Sequence, residues 1–337
     1  MIKSRNIYNA VFVFQILFVA LSQICMAQDS YSNEDPIIRG ADVIRKARTA
    51  IYENRTSKRI ETLKLILSGE SFTKTNPKLE RQSSAMGEVR QKIRSETLID
   101  FAGFARTHLR TETSNAFTQQ PLKSNLVSIV NGKRFDTRIV ALVGGREIET
   151  AGLRNGLLKQ REKNDTENIG GKRNEPSNLT GSELFLSLVD SIHPFLLQRP
   201  GMAELRFTFL GKAEADGITA NVLERVSDSG RSDRAGSTTR YFFDSVTNLL
   251  LLVTSKSVTD SLEIKSSAFF SAHGIKGGIK IPTKIKTEQE TIVKGKTTKA
   301  VGTMIESKTK KITVLSVEDF EINPKFHPDI FEIMGKK

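Results

Sequence analysis

Apolar residues recur at helical spacing in two stretches of the chain and at a period of two through most of the rest. Ile37, Ala41, Ile44, Ala47 and Ile51 fall on one helical face, and Asp35-Pro36 makes a start signal. Together they predict an amphipathic helix from Pro36 to Glu53. Leu184, Phe185, Leu188, Val189, Ile192, Phe195 and Leu196 form a second, broader stripe. Thr180 and Glu183 supply a capping box before it, and Pro194 and Pro200 mark its end.

Elsewhere the alternation is that of strands. Leu63, Leu65 and Leu67 alternate with Lys64, Ile66 and Ser68 in a strand ending near Gly69. After a polar segment a strand is expected around Thr97 to Arg110. Asn131-Gly132, between the β-prone runs Leu126–Val130 and Lys133–Asp136, is a hairpin signal. Arg154 to Asn178 is polar, charged and rich in Gly and Asn, and is expected to be an insertion. The last third predicts Glu204 to Gly211, Thr219 to Ser227, Thr239 to Asp244, Leu249 to Val258, Leu262 to Phe270, Ile279 to Glu288, Lys296 to Glu306 and Lys311 to Phe320 as strands. Turn signals at Asp216-Gly217, Asp244 to Asn248, Gly274, Gly277-Gly278 and Gly295 separate them. Such short connections make the strands antiparallel, since parallel neighbours need crossovers of about a dozen residues. The fold class expected is α+β: a large curved antiparallel sheet, an incomplete β-barrel, capped by two or three amphipathic helices. No short repeat is present, which disfavours a propeller or solenoid.

The first residues add a destination. Lys3 and Arg5 precede an apolar run from Ala10 to Leu21, and Cys25 and Ala27 stand where a signal peptidase reads small residues. Cleavage before Gln28 is expected, giving residues 1–27 as signal peptide, 28–35 as a polar leader and 36–334 as one domain. The apolar run is shorter than the roughly 20 residues a membrane-spanning helix needs. The protein is therefore expected to be exported, periplasmic or extracellular. Cys25 is the only cysteine, so the mature chain has no disulfide, thiol nucleophile or zinc–thiolate site.

Composition leaves room for a true core, with 38% hydrophobic residues, 19 Phe and no Trp. The formal charge is +13, with Lys3 and Arg5 on the part removed. A basic chain suits an anionic membrane surface or a merely solvated exterior. Its cations are scattered and no aromatic-and-basic module accompanies them, which argues against nucleic acid.

Candidate chemistry is sparse. His108, His193, His273 and His327 are far apart and lack metal-ligand spacing. No nucleophile elbow or phosphate-binding glycine loop occurs. Asp100, Glu204, Glu224 and Asp244 lie in or beside strands, and nothing in the sequence pairs them for acid–base work. Asn54, Asn164 and Asn178 begin Asn-x-Ser/Thr triplets, which matter only in a glycosylating host. No cofactor is expected.

One ordered constellation goes further. Arg240-Tyr241-Phe242-Phe243-Asp244-Ser245-Val246-Thr247-Asn248-Leu249-Leu250 is followed by Gly278-Ile279-Lys280-Ile281-Pro282, then by Ile322-Asn323-Pro324-Lys325-Phe326-His327-Pro328-Asp329-Ile330-Phe331. In this order they resemble the strand–turn–strand, turn and closing segments of periplasmic outer-membrane lipoprotein carrier and sorting proteins, the LolA/LolB-like superfamily. Asn248 stands where that family's turn has Gly, and Asn tolerates the same backbone conformation. The resemblance implies an incomplete barrel closed by helices, an apolar hollow for acyl chains, and no catalysis.

By strand alternation, Leu63, Leu65, Leu67, Phe207, Phe209, Tyr241, Phe243, Leu250 and Leu252 are the residues expected to line such a hollow or to fill an ordinary core. The expected function is a non-enzymatic binding protein for a lipid or acylated protein. The alternative is a structural or adaptor protein of the envelope that engages a partner through its basic surface or a sheet edge.

Overall fold

The computed structural model describes residues 35–52, 59–77, 88–115, 121–132, 134–143, 146–154, 157–158, 181–198, 205–225, 238–259, 262–293 and 307–332. The expected signal peptide, most of the expected polar leader, the expected insertion after Leu158, the capping residue expected at Thr180, the strand expected at Lys296 to Glu306, Gly295 and the three Asn-x-Ser/Thr sites lie outside these residues.

Helix α1 spans Pro36–Tyr52 and starts where the Asp35 side chain accepts the backbone N–H of Ile37 at 2.8 Å. Seven strands follow: β1 (Thr62–Pro77), β2 (Glu88–Asp100), β3 (Phe104–Asn115), β4 (Leu122–Asn131), β5 (Arg134–Val143), β6 (Arg146–Arg154) and the short β7 (Leu157–Leu158). Helix α2 spans Gly181–Leu196. A second run of strands then comprises β8 (Phe207–Ala215), β9 (Ile218–Arg225), β10 (Thr238–Asp244), β11 (Leu250–Val258), β12 (Leu262–Lys276), β13 (Ile279–Val293) and β14 (Ser307–Ile322), before a 3-10 turn at Pro328–Phe331.

All fourteen strands form one sheet in the order β7-β6-β5-β4-β3-β2-β1-β14-β13-β12-β11-β10-β9-β8. Each meander zigzags outward from the central β1–β14 pair, and every pairing is antiparallel. Among the described residues the sheet does not close, and β7 and β8 are its two ends. At the seam, the Asn323 side chain accepts the N–H of Glu61 at 2.8 Å and donates to the carbonyl of Arg59 at 2.9 Å, tying the end of β14 to the approach to β1. This gives the Asn of the closing motif a structural role.

The sheet curls around its helices. From β5 to β8 is eleven steps along the strand order, which laid flat would span about 53 Å at roughly 4.8 Å per step. Yet α2, a single helix about 10 Å wide, packs on β3, β4 and β5 and also stacks His193 on Phe207 of β8, ring centres 6.0 Å apart. Only a strongly curved sheet brings both regions to one helix. The two helices hold each other at their ends: the Tyr52 hydroxyl donates to the carbonyl of Leu196 at 2.9 Å, and Arg48 Nε to that of Leu197 at 2.7 Å.

One apolar cluster fills the space between helices and sheet. It takes Val43, Ile44, Ala47 and Ile51 from α1, Phe185, Val189, Ile192, Phe195 and Leu196 from α2, and side chains from nearly every long strand. The cluster sits at the end of the sheet that carries the tight turns after β2, β4, β8, β10 and β12.

Several expectations are corrected. The buried face of α1 is Gly40, Val43, Ile44, Ala47 and Ile51, while Ile37 and Ala41 are exposed. The helix is rotated because it crosses β8 at Gly40. The single strand expected over Thr97 to Arg110 is two strands, divided by a turn at 101–103 where the Asp100 side chain accepts the N–H of Ala102 at 2.8 Å. Pro194 lies inside the last turn of α2 instead of ending it. Gly274 is within β12, which runs on through a kink at Ala272 (φ 51°) to the Gly277-Gly278 turn. Among the described residues the α-helices number two, the smaller of the expected numbers.

Candidate functional site

Cross-strand register sorts the side chains of this sheet onto two faces. In an antiparallel pair, directly opposed residues point the same way. The helix-bearing face is therefore traced by chains of paired residues. Ile322, Leu63, Ile99, Ala105, Val130 and Phe135 stand side by side across β14, β1, β2, β3, β4 and β5. Two residues further along each strand comes the row of Phe320, Leu65, Thr97, Thr107, Ser128 and Thr137. Then follow Val317, Leu67, Ser95, Leu109 and Leu126.

Composition changes steadily along this face. The first row is largely buried, with Leu63, Ile99, Ala105 and Val130 all at 0% exposure. Beyond them the face becomes half-buried and mixes aliphatic residues with hydroxyls and amides. Val253, Ala268, Thr287, Thr313, Ser71, Gln91, Thr113 and Leu122 form one row across eight strands, from β11 to β4. The polar members partly satisfy one another: Thr111 with Ser124 at 2.6 Å, Ser128 with Thr137 at 3.0 Å, Ser255 with Ser266 at 2.7 Å, and the Gln91 amide donating to Thr113 at 3.2 Å.

Within the described residues the charged residues on this face of β1 to β4 and β10 to β14 are Lys276, opposite Ile279 at the turn that ends β12, and Lys311 on β14. The other charges of these strands are on the opposite side. Lys64 bridges Asp319 and Glu321 at 2.8 and 2.5 Å, Arg94 meets Glu318 at 3.1 Å, Arg240 meets Glu224 at 3.0 Å, and Lys308 meets Glu290 at 2.5 Å. A half-buried charge away from water is costly, whereas hydroxyls can pair among themselves. The arrangement yields a neutral surface that runs from the apolar core as far as the row of Thr313 and Ser71, one row short of Lys311.

Of the nine residues expected from alternation, Leu63, Leu65, Phe207, Phe209, Tyr241, Phe243 and Leu250 lie in the buried cluster, and Leu67 packs against it half-buried. His193 of α2 packs on two of these residues, stacked on Phe207 and edge-on to Tyr241 at 5.8 Å. Leu252 parts company with the rest. It stands directly opposite Phe242 and Phe269, on the charged face. A bulge causes this: Phe242 pairs with Leu252 but Phe243 with Leu250, so Leu251 is an extra residue and the alternation shifts by one.

The strand–turn–strand motif forms a tightly specified turn. The Asp244 carboxylate accepts the N–H of Val246 at 2.9 Å and the hydroxyl of Thr247 at 2.6 Å, and Asn248 takes the left-handed conformation (φ 58°). Burial pushes the Asp244 carboxyl up, but the Thr247 hydroxyl and the backbone N–H groups of Val246 and Thr247 outweigh it and hold the group below its usual value.

Other candidate chemistry is dispersed. Asp100 caps its turn, Glu224 is paired with Arg240, and Glu204 is outside the described residues. Burial, then Arg110 and Arg106, lower the pKa of His108, while His193, His273 and His327 sit on other elements. Among the described residues no three His, Cys, Asp or Glu side chains gather as a metal site, and no helix is long and apolar enough to cross a membrane.

No protein-family model and no curated relative matches the sequence. Among solved structures, the chain is similar to a DUF1329 family protein from Desulfovibrio piger, at 13% identity and TM-score 0.39, covering 89% of this chain and 98% of that one. It is also similar to a LolA superfamily protein from Nitrosomonas europaea, at 9% identity and TM-score 0.40, covering 87% and 97%. A third is an outer membrane lipoprotein-sorting protein domain from Vibrio parahaemolyticus, at 11% identity and TM-score 0.38, covering 88% and 97%. The neutral face itself had no motif to announce it; its only trace in the sequence is the absence of charge from alternate positions of β1 to β4.

Proposed function

We propose that this protein is an exported, non-enzymatic carrier whose ligand is a lipid or the acyl chains of a lipoprotein, held on the helix-bearing face of the sheet. The observation that carries this reading is the neutral surface leading out of the core. Half-buried Leu67, Ile93, Leu109, Leu126 and Leu315 sit among hydroxyls there, with no charge to desolvate. Burying a methylene yields about 0.8 kcal/mol, so a long acyl chain gains enough from such a face without any dedicated motif. The residues expected to line a hollow at the helix end, Leu63 and Phe243 among them, act in this reading as the packed floor on which the face is built.

The test is native mass spectrometry and organic extraction of the protein isolated from its export route, compared with Leu109→Glu. Leu109 is half-buried, so a carboxylate there is expected to leave the circular dichroism spectrum intact while abolishing lipid co-purification. A ligand-free wild-type mass, together with no uptake of a fluorescent fatty acid, would overturn the reading.

A further inference from the structure

The charged face contains a cavity of about 530 Å³. Most of its lining comes from two neighbouring cross-strand rows over β14, β1, β2 and β3, with Ser71, Gln91 and Pro121 completing it. One row reads Ile312, Phe72, Arg90, Ser114; the next reads Val314, Glu70, Lys92, Glu112. That volume lies in the range of small-molecule sites.

The two rows differ in charge. Arg90 is exposed and stands between Phe72 and Ser114, so its row has one cation and no carboxylate. Among the described residues it makes no ion pair, unlike Lys64, Arg94 and Lys308 on the same face. In the other row Lys92 stands directly between Glu70 and Glu112, and carboxylates outnumber cations two to one. Rows two residues apart on one face are separated by about 6.8 Å. The cavity thus presents a positive pole and a negative pole a few ångströms apart. Beside them Phe72 and Ile312 are half-buried and Val314 is 50% exposed, a large apolar surface for a face otherwise covered by ion pairs.

We infer that this cavity binds a zwitterionic amphiphile. Its anionic group, a phosphate or carboxylate, lies on Arg90. Its ammonium group lies toward Glu70 and Glu112, and its apolar part rests on Phe72, Ile312 and Val314. The site is on the opposite face from the carrier surface proposed above and stands independently of it.

Isothermal titration of the whole protein with dodecylphosphocholine below its micelle concentration tests this. Arg90→Gln and Glu112→Gln are each expected to weaken binding about threefold to fivefold, the size of an exposed charge contact. Measured in a Leu109→Glu background, which removes acyl-chain binding on the carrier face, both losses are expected to persist. Glycerophosphocholine, the same headgroup without a chain, binds more weakly than the detergent. Equal affinities for the two ligands would overturn the amphiphile assignment. Affinity lost in Leu109→Glu but kept in Arg90→Gln would place the detergent on the carrier face and overturn the site, as would absence of binding.

Discussion

Gly40 of α1 lies directly against the backbone of Phe207 in β8. A Cβ placed on Gly40 would come 2.2 Å from the Phe207 carbonyl oxygen. The contact lets α1 cover the end strand of the sheet, with Arg39 set over the Phe209 ring at 4.3 Å. An open sheet leaves an edge of unpaired backbone groups, and a helix laid against it is one way natural proteins protect it.

Gly40→Ala therefore sets two effects against each other. Helix propensity favours Ala by about 1 kcal/mol. The clash is with backbone, which cannot swing aside, and overpacking of this kind costs about 1–3 kcal/mol. The clash is expected to win, so urea unfolding should give a lower midpoint for the variant. A midpoint above wild type would show that α1 is not seated on β8 as described.

The bulge at Leu251 makes a second expectation. Leu250 is 2% exposed and belongs to the buried cluster, whereas Leu252 is half-buried on the charged face. Leu250→Ala should cost about 2–5 kcal/mol, the range for truncating a core leucine. Leu252→Ala should cost less than half as much, because its neighbours are partly solvated. Chemical denaturation of the two variants side by side measures this, and equal losses would contradict the register.

Asp244 supplies a pH dependence. Its folded pKa is depressed, so the ionised form is favoured by folding. The contribution to stability is present above the pKa of the unfolded chain and fades as pH falls through the folded value, in the acid range below about pH 4. Asp244→Asn should be less stable than wild type at neutral pH, and the gap should narrow as the solution is acidified. Thermal melts across that range would detect it; a gap that widened on acidification would contradict the turn geometry.

Much of the architecture was written in local pattern. The antiparallel meander follows from short connections, because Asp216-Gly217, Asp244 to Asn248 and Gly277-Gly278 leave no room for a crossover. The residues of the cluster were legible for the same reason: alternation puts Leu63, Leu65, Phe207, Phe209, Tyr241 and Phe243 on one face whatever the strands' partners. Local pattern failed where a single backbone irregularity reset the parity, as at Leu251, or where docking chose a face, as with Gly40 in place of Ala41.

The sequence by itself determined most of the strand and turn succession, the presence of the two helices and, away from bulges, which side chains of a strand share a face, since these depend on neighbours within a few residues. Only the tertiary structure decided that the first and last strands meet at the centre of the sheet. It also decided that the sheet curls far enough for one helix to touch both halves, and that residues of four strands come together around a cavity. Those facts depend on pairing between residues up to about 260 positions apart, such as Leu63 with Ile322. Such pairings are fixed by the joint burial of whole elements, to which no single segment's pattern has access.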